Sequence, residues 1–301
     1  MSEIWSGTDF PYMCLKDRVR TEAFRRAIAE VVRPGDVMVD AGAGTGILSF
    51  FAAANGAGRV YAVEIDPLLV ANLRASVALN GLEGVVSVVS GDATQADLPH
   101  GVDVFVGELV DTGLLDEMQV EVVNTLRARG VIGPATRLIP AQYTTFAELV
   151  AVDESYYGFR IVAPKHEWPF YATADPTWQK TAIRPLTERV PVAHVDFRNA
   201  VEPAVSRDVG LTCTGDGLAN AIRLSGTCRL SPTVSLGATN AFNGDKILHL
   251  PGSVRTIAGQ TLGLRVEFAY GKGLGSFGCH VDSAPHHVAP VPGKRLVRRA
   301  S

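Results

Sequence analysis

Cysteine is scarce in this chain, and the few cysteines are far apart. The 301 residues include four of them, with no Cys-x-x-Cys pair: Cys14, Cys213, Cys228 and Cys279. Structural zinc sites and disulfide frameworks need thiols at short, regular spacings. The neighbouring histidines His286 and His287 have no acidic or thiol ligand at a recognised metal-binding spacing. We therefore expect reduced thiols and no metal site.

The chain also lacks a long apolar run and a strong charge of one sign. No apolar stretch reaches transmembrane length, and residues 1–12 contain no basic region followed by an apolar core, so we expect neither a membrane span nor a secretory signal. The net charge of -3 gives no electrostatic case for binding nucleic acid or a membrane surface. Together with the scattered thiols, these absences predict a cytoplasmic protein.

What is present is a glycine-rich turn between a strand and a helix. Residues 37–41 form a short apolar run containing Asp40, three glycines follow, and an apolar pattern with helical spacing begins at Ile47. The glycines are Gly42, Gly44 and Gly46. Glycines at such a turn let the backbone approach a ligand closely. Glu64 ends the next apolar run about 20 residues later, the spacing at which an acid binds ribose hydroxyls. This pattern predicts a nucleoside-containing cofactor.

The spacing of the glycines distinguishes between two cofactor classes. A dinucleotide site needs Gly-x-Gly-x-x-Gly, whereas this turn is one residue tighter. Asp40 would repel a pyrophosphate but suits the ammonium group of a methionine moiety. A third strand ends at Gly91, and Asp92 and Ala93 follow it in position to contact an adenine edge. We therefore predict S-adenosyl-L-methionine rather than NAD.

The alternation of strand and helix patterns continues to about residue 140 and predicts a doubly wound, parallel α/β domain over residues 1–140. Glu108 ends the fourth strand, on the edge where such sheets bind ligands. Glu117 follows nine positions later, where a hairpin-like loop would bring the two carboxylates together. Spacing alone equally allows Glu117 to be a solvated residue at the start of a helix.

The second half has a different pattern. Over residues 141–301, short β runs separated by turn clusters predict a β-barrel-like domain. Residues 155–190 are rich in aromatic residues, proline and charge, without a clear period, and suggest an excursion or arm. Residues 290–301 carry four basic side chains, most simply explained as a solvated end.

Several of these segments resemble the protein arginine methyltransferases, over about residues 10–280. Residues 15–21 are similar to that family's Met-Leu-x-Asp-x-x-Arg-Thr segment, with Cys14 in place of methionine. Residues 40–49 resemble its cofactor loop, and Glu108 and Glu117 have the spacing of its two-glutamate loop. Residues 157–159 resemble the start of its dimerisation arm.

The resemblance implies a role for each matching residue. Arg20 would bind the carboxylate of S-adenosylmethionine, and Glu64 would bind its ribose. Glu108 and Glu117 would grip a substrate guanidinium, a planar and permanently charged group that carboxylates bind in bidentate fashion. The resemblance therefore implies N-methylation of a guanidinium or related cationic nitrogen, in arginine that is free or part of a peptide or protein, by a homodimer.

Three departures leave other functions open. The family has Trp-Met-Gly-Tyr after its first glutamate, where residues 109–112 are Leu-Val-Asp-Thr, and Thr-His-Trp where residues 241–243 are Ala-Phe-Asn. The aromatic N-terminal helix that covers the cofactor is reduced or absent. A small-molecule N- or O-methyltransferase, a catalytically silent binding protein and a dinucleotide oxidoreductase remain alternatives.

Overall fold

The computed structural model describes residues 9–172 and 179–282. The histidines at 286 and 287, the basic residues after 290 and Trp178 of the predicted arm lie outside the described residues. Within the described part of the chain, no helix is long and apolar enough to cross a membrane.

The first half is a parallel sheet with helices packed on it. Its helices are α1 (Phe10–Lys16), α2 (Arg18–Val31), α3 (Ile47–Ala54), α4 (Pro67–Leu79) and α5 (Gln119–Ala128). Its strands are β1 (Val37–Ala41), β2 (Arg59–Glu64), β3 (Val86–Ser90), β4 (Val104–Gly107) and β5 (Arg137–Ile139). The strand order is β3-β2-β1-β4-β5, and all neighbouring pairs are parallel. The predicted doubly wound α/β fold is confirmed.

Local capping explains where these helices begin. Asp66 caps α4 by accepting hydrogen bonds from the amides of Leu68 and Leu69, and Pro67 occupies the first turn, where its missing N–H costs nothing. Asp17 separates α1 from α2, because its side chain accepts a hydrogen bond from the Arg20 amide and caps α2. The helices α1 and α2 therefore meet at an elbow at Asp17.

The second half is antiparallel. Its longer strands are β6 (Gln142–Val152), β11 (Val190–Asp196), β12 (Ala204–Thr212), β13 (Gly217–Arg229), β15 (Asp245–Thr256), β16 (Thr261–Ala269) and β17 (Gly278–Asp282). The shorter ones are β7 (Ser155–Tyr156), β8 (Phe159–Arg160), β9 (Lys165–Glu167), β10 (Ile183–Pro185) and β14 (Ser235–Leu236). A seven-stranded sheet contains the path β10-β6-β13-β15-β9, with β11 and β14 attached; β12, β16 and β17 form a second sheet. A third, two-stranded sheet pairs β7 with β8, so the predicted all-β second half is present as three antiparallel sheets.

The two halves meet around the loop that follows β4. Its 3₁₀ turn, Thr112–Leu114, lies against β6 and β13. Thr112 donates a hydrogen bond to the carbonyl of Gly244, and the Gly113 amide donates one to the Tyr143 hydroxyl at 3.0 Å. The carboxylate of Asp17 accepts a hydrogen bond from the Ala241 amide at 2.8 Å. The loop that carries both candidate glutamates is therefore held between the two halves.

Candidate functional site

The loops that follow the parallel strands open onto one cavity of about 300 Å³ at the carboxyl edge of the sheet. This is the edge where open α/β sheets bind their ligands. Eight residues predicted to form the site line this cavity: Arg20, Gly42, Gly44, Glu64, Asp92, Ala93, Glu108 and Glu117. The remaining two predicted residues, Asp40 and Gly46, lie behind the glycine loop.

The glycine loop is shaped by left-handed backbone and by Glu64. Gly42 has φ +73°, and a Cβ there would lie 2.6 Å from Cδ2 of Leu109, so only glycine fits. The Gly44 amide donates a hydrogen bond to Oε2 of Glu64 at 2.8 Å, and the Asp66 amide donates one to Oε1 at 2.8 Å. These two bonds fix the carboxylate of Glu64 at the end of β2, facing the cavity.

Asp40 supports the loop from beneath. Its side chain is 1% exposed and accepts a hydrogen bond from Ser49 of α3 at 2.6 Å. Burial raises the pKa of Asp40 to about 6, although the Ser49 hydrogen bond lowers it. Gly46 caps α3 with φ +82°, and a Cβ there would lie 2.2 Å from Cδ1 of Leu73. Both positions therefore serve the packing of the loop against α3 and α4.

Arg20 and Glu108 form a buried ion pair between the elbow of the first two helices and the end of β4. Arg20 also donates a hydrogen bond to the carbonyl of Cys14 at 3.3 Å, while its Nε has no partner among the described residues. Burial raises the pKa of Glu108, and Arg20 only partly offsets this effect. Burial lowers the pKa of Arg20, but the neighbouring Glu108 raises it and the net pKa is above its ordinary value. The guanidinium therefore stays charged. Arg20 lines the cavity and places this positive charge at its wall.

Cys14 occupies the position where the resemblance expects methionine. It lines the cavity, and burial, together with the nearby Glu108, raises the pKa of its thiol to about 12. The thiol is therefore protonated and acts as a small apolar side chain. The other lining residues from α1, Phe10, Pro11 and Leu15, show that a short N-terminal helix does contribute to the wall.

A second cavity, of about 350 Å³, lies beside the first, between the loop after β4 and the antiparallel half. Phe10 and Glu117 line both cavities. Burial raises the pKa of Glu117 well above its usual range, and Glu108 and Asp111 raise it further. No described residue donates a hydrogen bond to the Glu117 carboxylate. Glu117 is therefore the one acid at the junction of the two cavities, and spacing alone did not decide between this position and a solvated one.

Lys246 holds the loop that carries Glu117. This lysine is 1% exposed and pairs with both Asp111 and Asp116, the second at 2.7 Å. Asp111 also accepts hydrogen bonds from the amides of Leu115 and Glu117. Lys246 thus neutralises the carboxylate around which the loop turns.

The sequence did not reveal this part of the site. Asp111 was noted only as part of the departure at residues 109–112, Asp116 was not singled out, and Lys246 is an isolated lysine in a strand 130 or more residues away. Asn243 also lines the second cavity; its oxygen accepts from Tyr143, and its Nδ2 has no partner among the described residues. No local pattern connects these positions, because the fold brings them together.

Comparison with known proteins agrees with this arrangement. A model of the TRM5/TYW2 methyltransferase domain matches residues 17–160. An arginine N(omega)-methyltransferase of Streptomyces achromogenes subsp. streptozoticus is 29% identical over 282 residues, 86% of this chain and 75% of that protein. The probable protein arginine N-methyltransferase 6 of Arabidopsis thaliana is 36% identical over 144 residues, 47% of this chain and 33% of that protein. An uncharacterized protein of Methanocaldococcus jannaschii, MJ1452, is 35% identical over 145 residues.

The chain spans about half the length of MJ1452 (55%) and a third of the length of the Arabidopsis protein. Two solved structures cover nearly the whole chain. The Trypanosoma brucei PRMT1 enzyme-prozyme complex with AdoHcy superposes with a TM-score of 0.75 at 20% identity, over 93% of this chain and 95% of that one. Arabidopsis thaliana protein arginine methyltransferase 10 superposes with a TM-score of 0.69 at 19% identity, over 88% of each chain.

Residues 17–160 are thus similar to a methyltransferase domain, in a chain that has the overall fold of the two solved protein arginine methyltransferases. The predicted resemblance and the preference for S-adenosylmethionine over a dinucleotide are confirmed.

The first cavity fits this cofactor. It combines a loop whose Gly42 and Gly44 let the backbone approach a ligand, an acid at the end of β2 and a buried cation, Arg20.

Proposed function

We propose that this protein is an S-adenosylmethionine-dependent N-methyltransferase that acts on the guanidinium group of arginine. The observation that supports this most strongly is the junction of the two cavities at Glu117 and Phe10. A cofactor in the first cavity and a cationic acceptor in the second would meet at this point. The acceptor side carries a carboxylate without a described hydrogen-bond partner, which suits a cation.

In this proposal the residues of the first cavity bind the cofactor. Arg20 binds its carboxylate with the N–H that has no partner, Glu64 binds the ribose hydroxyls, and Asp92 and Ala93 contact the adenine. Gly42 and Gly44 let the backbone pass close to the ligand. Asp40 and Gly46 support the loop from behind, as their burial and packing indicate.

Glu108 and Glu117 act on the acceptor. S-adenosylmethionine supplies an electrophilic methyl group on a sulfonium. The two carboxylates hold the guanidinium and draw its positive charge towards the nitrogens that they contact, which leaves a further nitrogen more nucleophilic. Positioning that nitrogen towards the methyl group supplies much of the rate. Arg20 holds Glu108 in place through their ion pair and partly offsets the rise in the pKa of Glu108 that burial causes.

The relatives leave the form of the arginine undecided. The Streptomyces protein, aligned over 86% of this chain, is named an arginine N(omega)-methyltransferase, whereas the Arabidopsis protein is named a protein arginine N-methyltransferase. Free arginine and arginine in a peptide are therefore the two acceptors to compare.

The test is methyl transfer from labelled S-adenosylmethionine to free arginine, an arginine-rich peptide and a panel of small amines and alcohols, with the modified atom located by mass spectrometry. We expect label on a guanidinium nitrogen. Label only on another amine or on oxygen would replace the arginine proposal with a small-molecule methyltransferase. Binding of S-adenosylhomocysteine without turnover on any acceptor would indicate a catalytically silent protein.

The chain organisation fits this function. The parallel sheet ends with β5 at Ile139 and the antiparallel half begins with β6 at Gln142, which supports two domains, 1–140 and 141–301.

Within the proposed arm, the hairpin of β7 and β8 exposes Tyr157 (93%) and Phe159 (70%). Such apolar exposure supports a homodimer formed through this arm. Sedimentation of the Tyr157→Ser, Phe159→Ser double variant tests this proposal. If these side chains form the dimer contact, the variant sediments as a monomer.

We further propose that the protein acts in the cytoplasm and binds no nucleic acid. All four cysteines are free thiols, which suits a reducing compartment. The net charge of -3 gives no electrostatic case for binding a polyanion.

A further inference from the structure

The acceptor cavity lacks the aromatic side chains that its own loop would be expected to supply. Residues 109–112, directly after Glu108, are Leu-Val-Asp-Thr, and none of them is aromatic. Thr112 is fully buried and donates its hydroxyl to the Gly244 carbonyl. Asp111 is held by Lys246. The loop therefore contributes polar and aliphatic atoms to the cavity, and no ring.

The rings in the cavity wall come from elsewhere in the chain. Phe10 belongs to α1, His166 to β9 and Phe242 to the loop before β15, and Trp168 lies directly after β9. The ring centroid of Trp168 lies 6.1 Å from the ring centroid of Phe10 and 4.8 Å from that of His166. These three side chains form a continuous aromatic wall in the cavity that also contains Glu117, Asp111 and Asp116.

The position of Trp168 depends on Gly244, the residue directly before β15. A Cβ on Gly244 would lie 2.6 Å from Cε3 and 2.8 Å from Cδ2 of the indole, and 3.0 Å from the carbonyl oxygen of Glu167. The next residue, Asp245, pairs with Glu167 in the sheet, so the two backbones are fixed at this distance. The indole therefore occupies the space that any larger side chain at 244 would need.

We propose that Trp168 is a specificity-determining residue of the acceptor site, providing the aromatic surface that holds a planar cation next to Glu117. This proposal rests on the proposed function, because it names the residue that selects the guanidinium acceptor. An indole is the aromatic group that binds cations most strongly, and guanidinium groups stack on it well. The tryptophan is contributed by the segment after β9 and takes the place of ring groups missing from the loop after Glu108.

The test measures binding of L-arginine and of an arginine-containing peptide by calorimetry, with the full chain saturated with S-adenosylhomocysteine. The variants are Trp168→Ala and Trp168→Phe. Phe170→Ala is the matched control, since Phe170 packs against Tyr171 on the same segment and does not line the cavity. Affinity for S-adenosylhomocysteine is measured for each variant as the readout for structural damage.

We expect Trp168→Ala to bind the arginine ligand about five- to thirtyfold more weakly, with Trp168→Phe in between and Phe170→Ala unchanged. Affinity for S-adenosylhomocysteine stays within about twofold throughout. Equal arginine affinity in wild type and Trp168→Ala would overturn the proposal, and so would a parallel loss of both ligands, which marks a structural residue. If the wild type binds neither arginine ligand, the proposed function itself fails and this inference with it.

Discussion

The cofactor cavity and the acceptor cavity share Glu117 and Phe10, yet they are built in different ways. The first consists mainly of backbone and of side chains at the ends of consecutive parallel strands. The second collects side chains from α1, the loop after β4, the segment around β9 and the loop before β15. A buried cation accompanies each cavity, since Arg20 lines the first and Lys246 pairs with Asp111 in the wall of the second, and each cation holds a carboxylate in place.

The difference lies in how the charges are balanced. On the cofactor side, Arg20 pairs with Glu108 and keeps one N–H without a described partner. On the acceptor side, Lys246 pairs with Asp111 and Asp116, which leaves the carboxylate of Glu117 without a described hydrogen-bond donor. In the proposed function, Arg20 therefore meets the carboxylate of the cofactor and Glu117 meets the cationic acceptor, and the predictions below test this contrast.

Replacing Lys246 should have the largest effect on stability. Lys246→Met leaves Asp111 buried without its cation, which costs about 3–5 kcal/mol of unfolding free energy. Chemical denaturation measures this loss. Lys272→Met is the control, because Lys272 forms an exposed pair with Glu121 at 3.3 Å and should change stability by less than about 1 kcal/mol. Equal effects of the two substitutions would show that Lys246 does not hold the acceptor loop.

The acceptor side should also depend on pH more strongly than the cofactor side. The pKa of Glu117 is raised by burial, by Glu108 and by Asp111, so a proton must leave before a guanidinium binds. We expect kcat/KM for the acceptor to rise with pH, by up to about tenfold per unit below the pKa, and the affinity for S-adenosylhomocysteine to change much less. Calorimetry in two buffers of different ionisation enthalpy should detect proton release on arginine binding. A flat profile would contradict the assignment of Glu117.

Asp40 offers a smaller test, on the cofactor side. Its folded-state pKa of about 6 lies above the ordinary value of 3.8, so the folded protein gains stability as the pH falls through about 6 and the group takes up a proton. At neutral pH the buried charge costs on the order of 3 kcal/mol. Asp40→Asn should be more stable at neutral pH and lose this dependence between about pH 4 and pH 6.

The control for this test is Asp97→Asn, at an exposed position, which should leave the stability profile parallel to that of the wild type. Since Asp40 does not line the cavity, we also expect Asp40→Asn to keep the affinity for S-adenosylhomocysteine within about twofold. A large loss of cofactor affinity in Asp40→Asn would show that Asp40 takes part in binding the cofactor.

The same contrast explains how much could be predicted from the sequence. The glycine loop, Glu64 and Asp92 follow directly from strands that alternate with helices, because parallel strands bring successive loops to one edge. The contacts of the first two helices, by contrast, cannot be deduced from spacing: Asp17 is buried and binds the amides of Arg20 and Ala241, and the buried Arg20 side chain pairs with Glu108.

The acceptor side could be predicted only in part. Glu108 and Glu117 were identified by their spacing and by family resemblance, which also indicated that the rings of the loop were missing. Their replacement by Trp168, and the anchoring of the loop by Lys246, depend on contacts between residues 76 and 135 positions apart. Such contacts leave no local pattern, since each residue taken alone is an ordinary tryptophan, glycine or lysine.

The most direct measurement is methyl transfer to arginine by the wild type, Glu117→Gln and Glu202→Gln, combined with the affinity of each for S-adenosylhomocysteine. Glu202 is exposed and remote from both cavities. If Glu117 is the acid at the junction, Glu117→Gln loses about 10³-fold in kcat/KM for arginine while it binds the cofactor product as well as the other two proteins do. Methylation of arginine by Glu117→Gln at the wild-type rate would contradict this assignment.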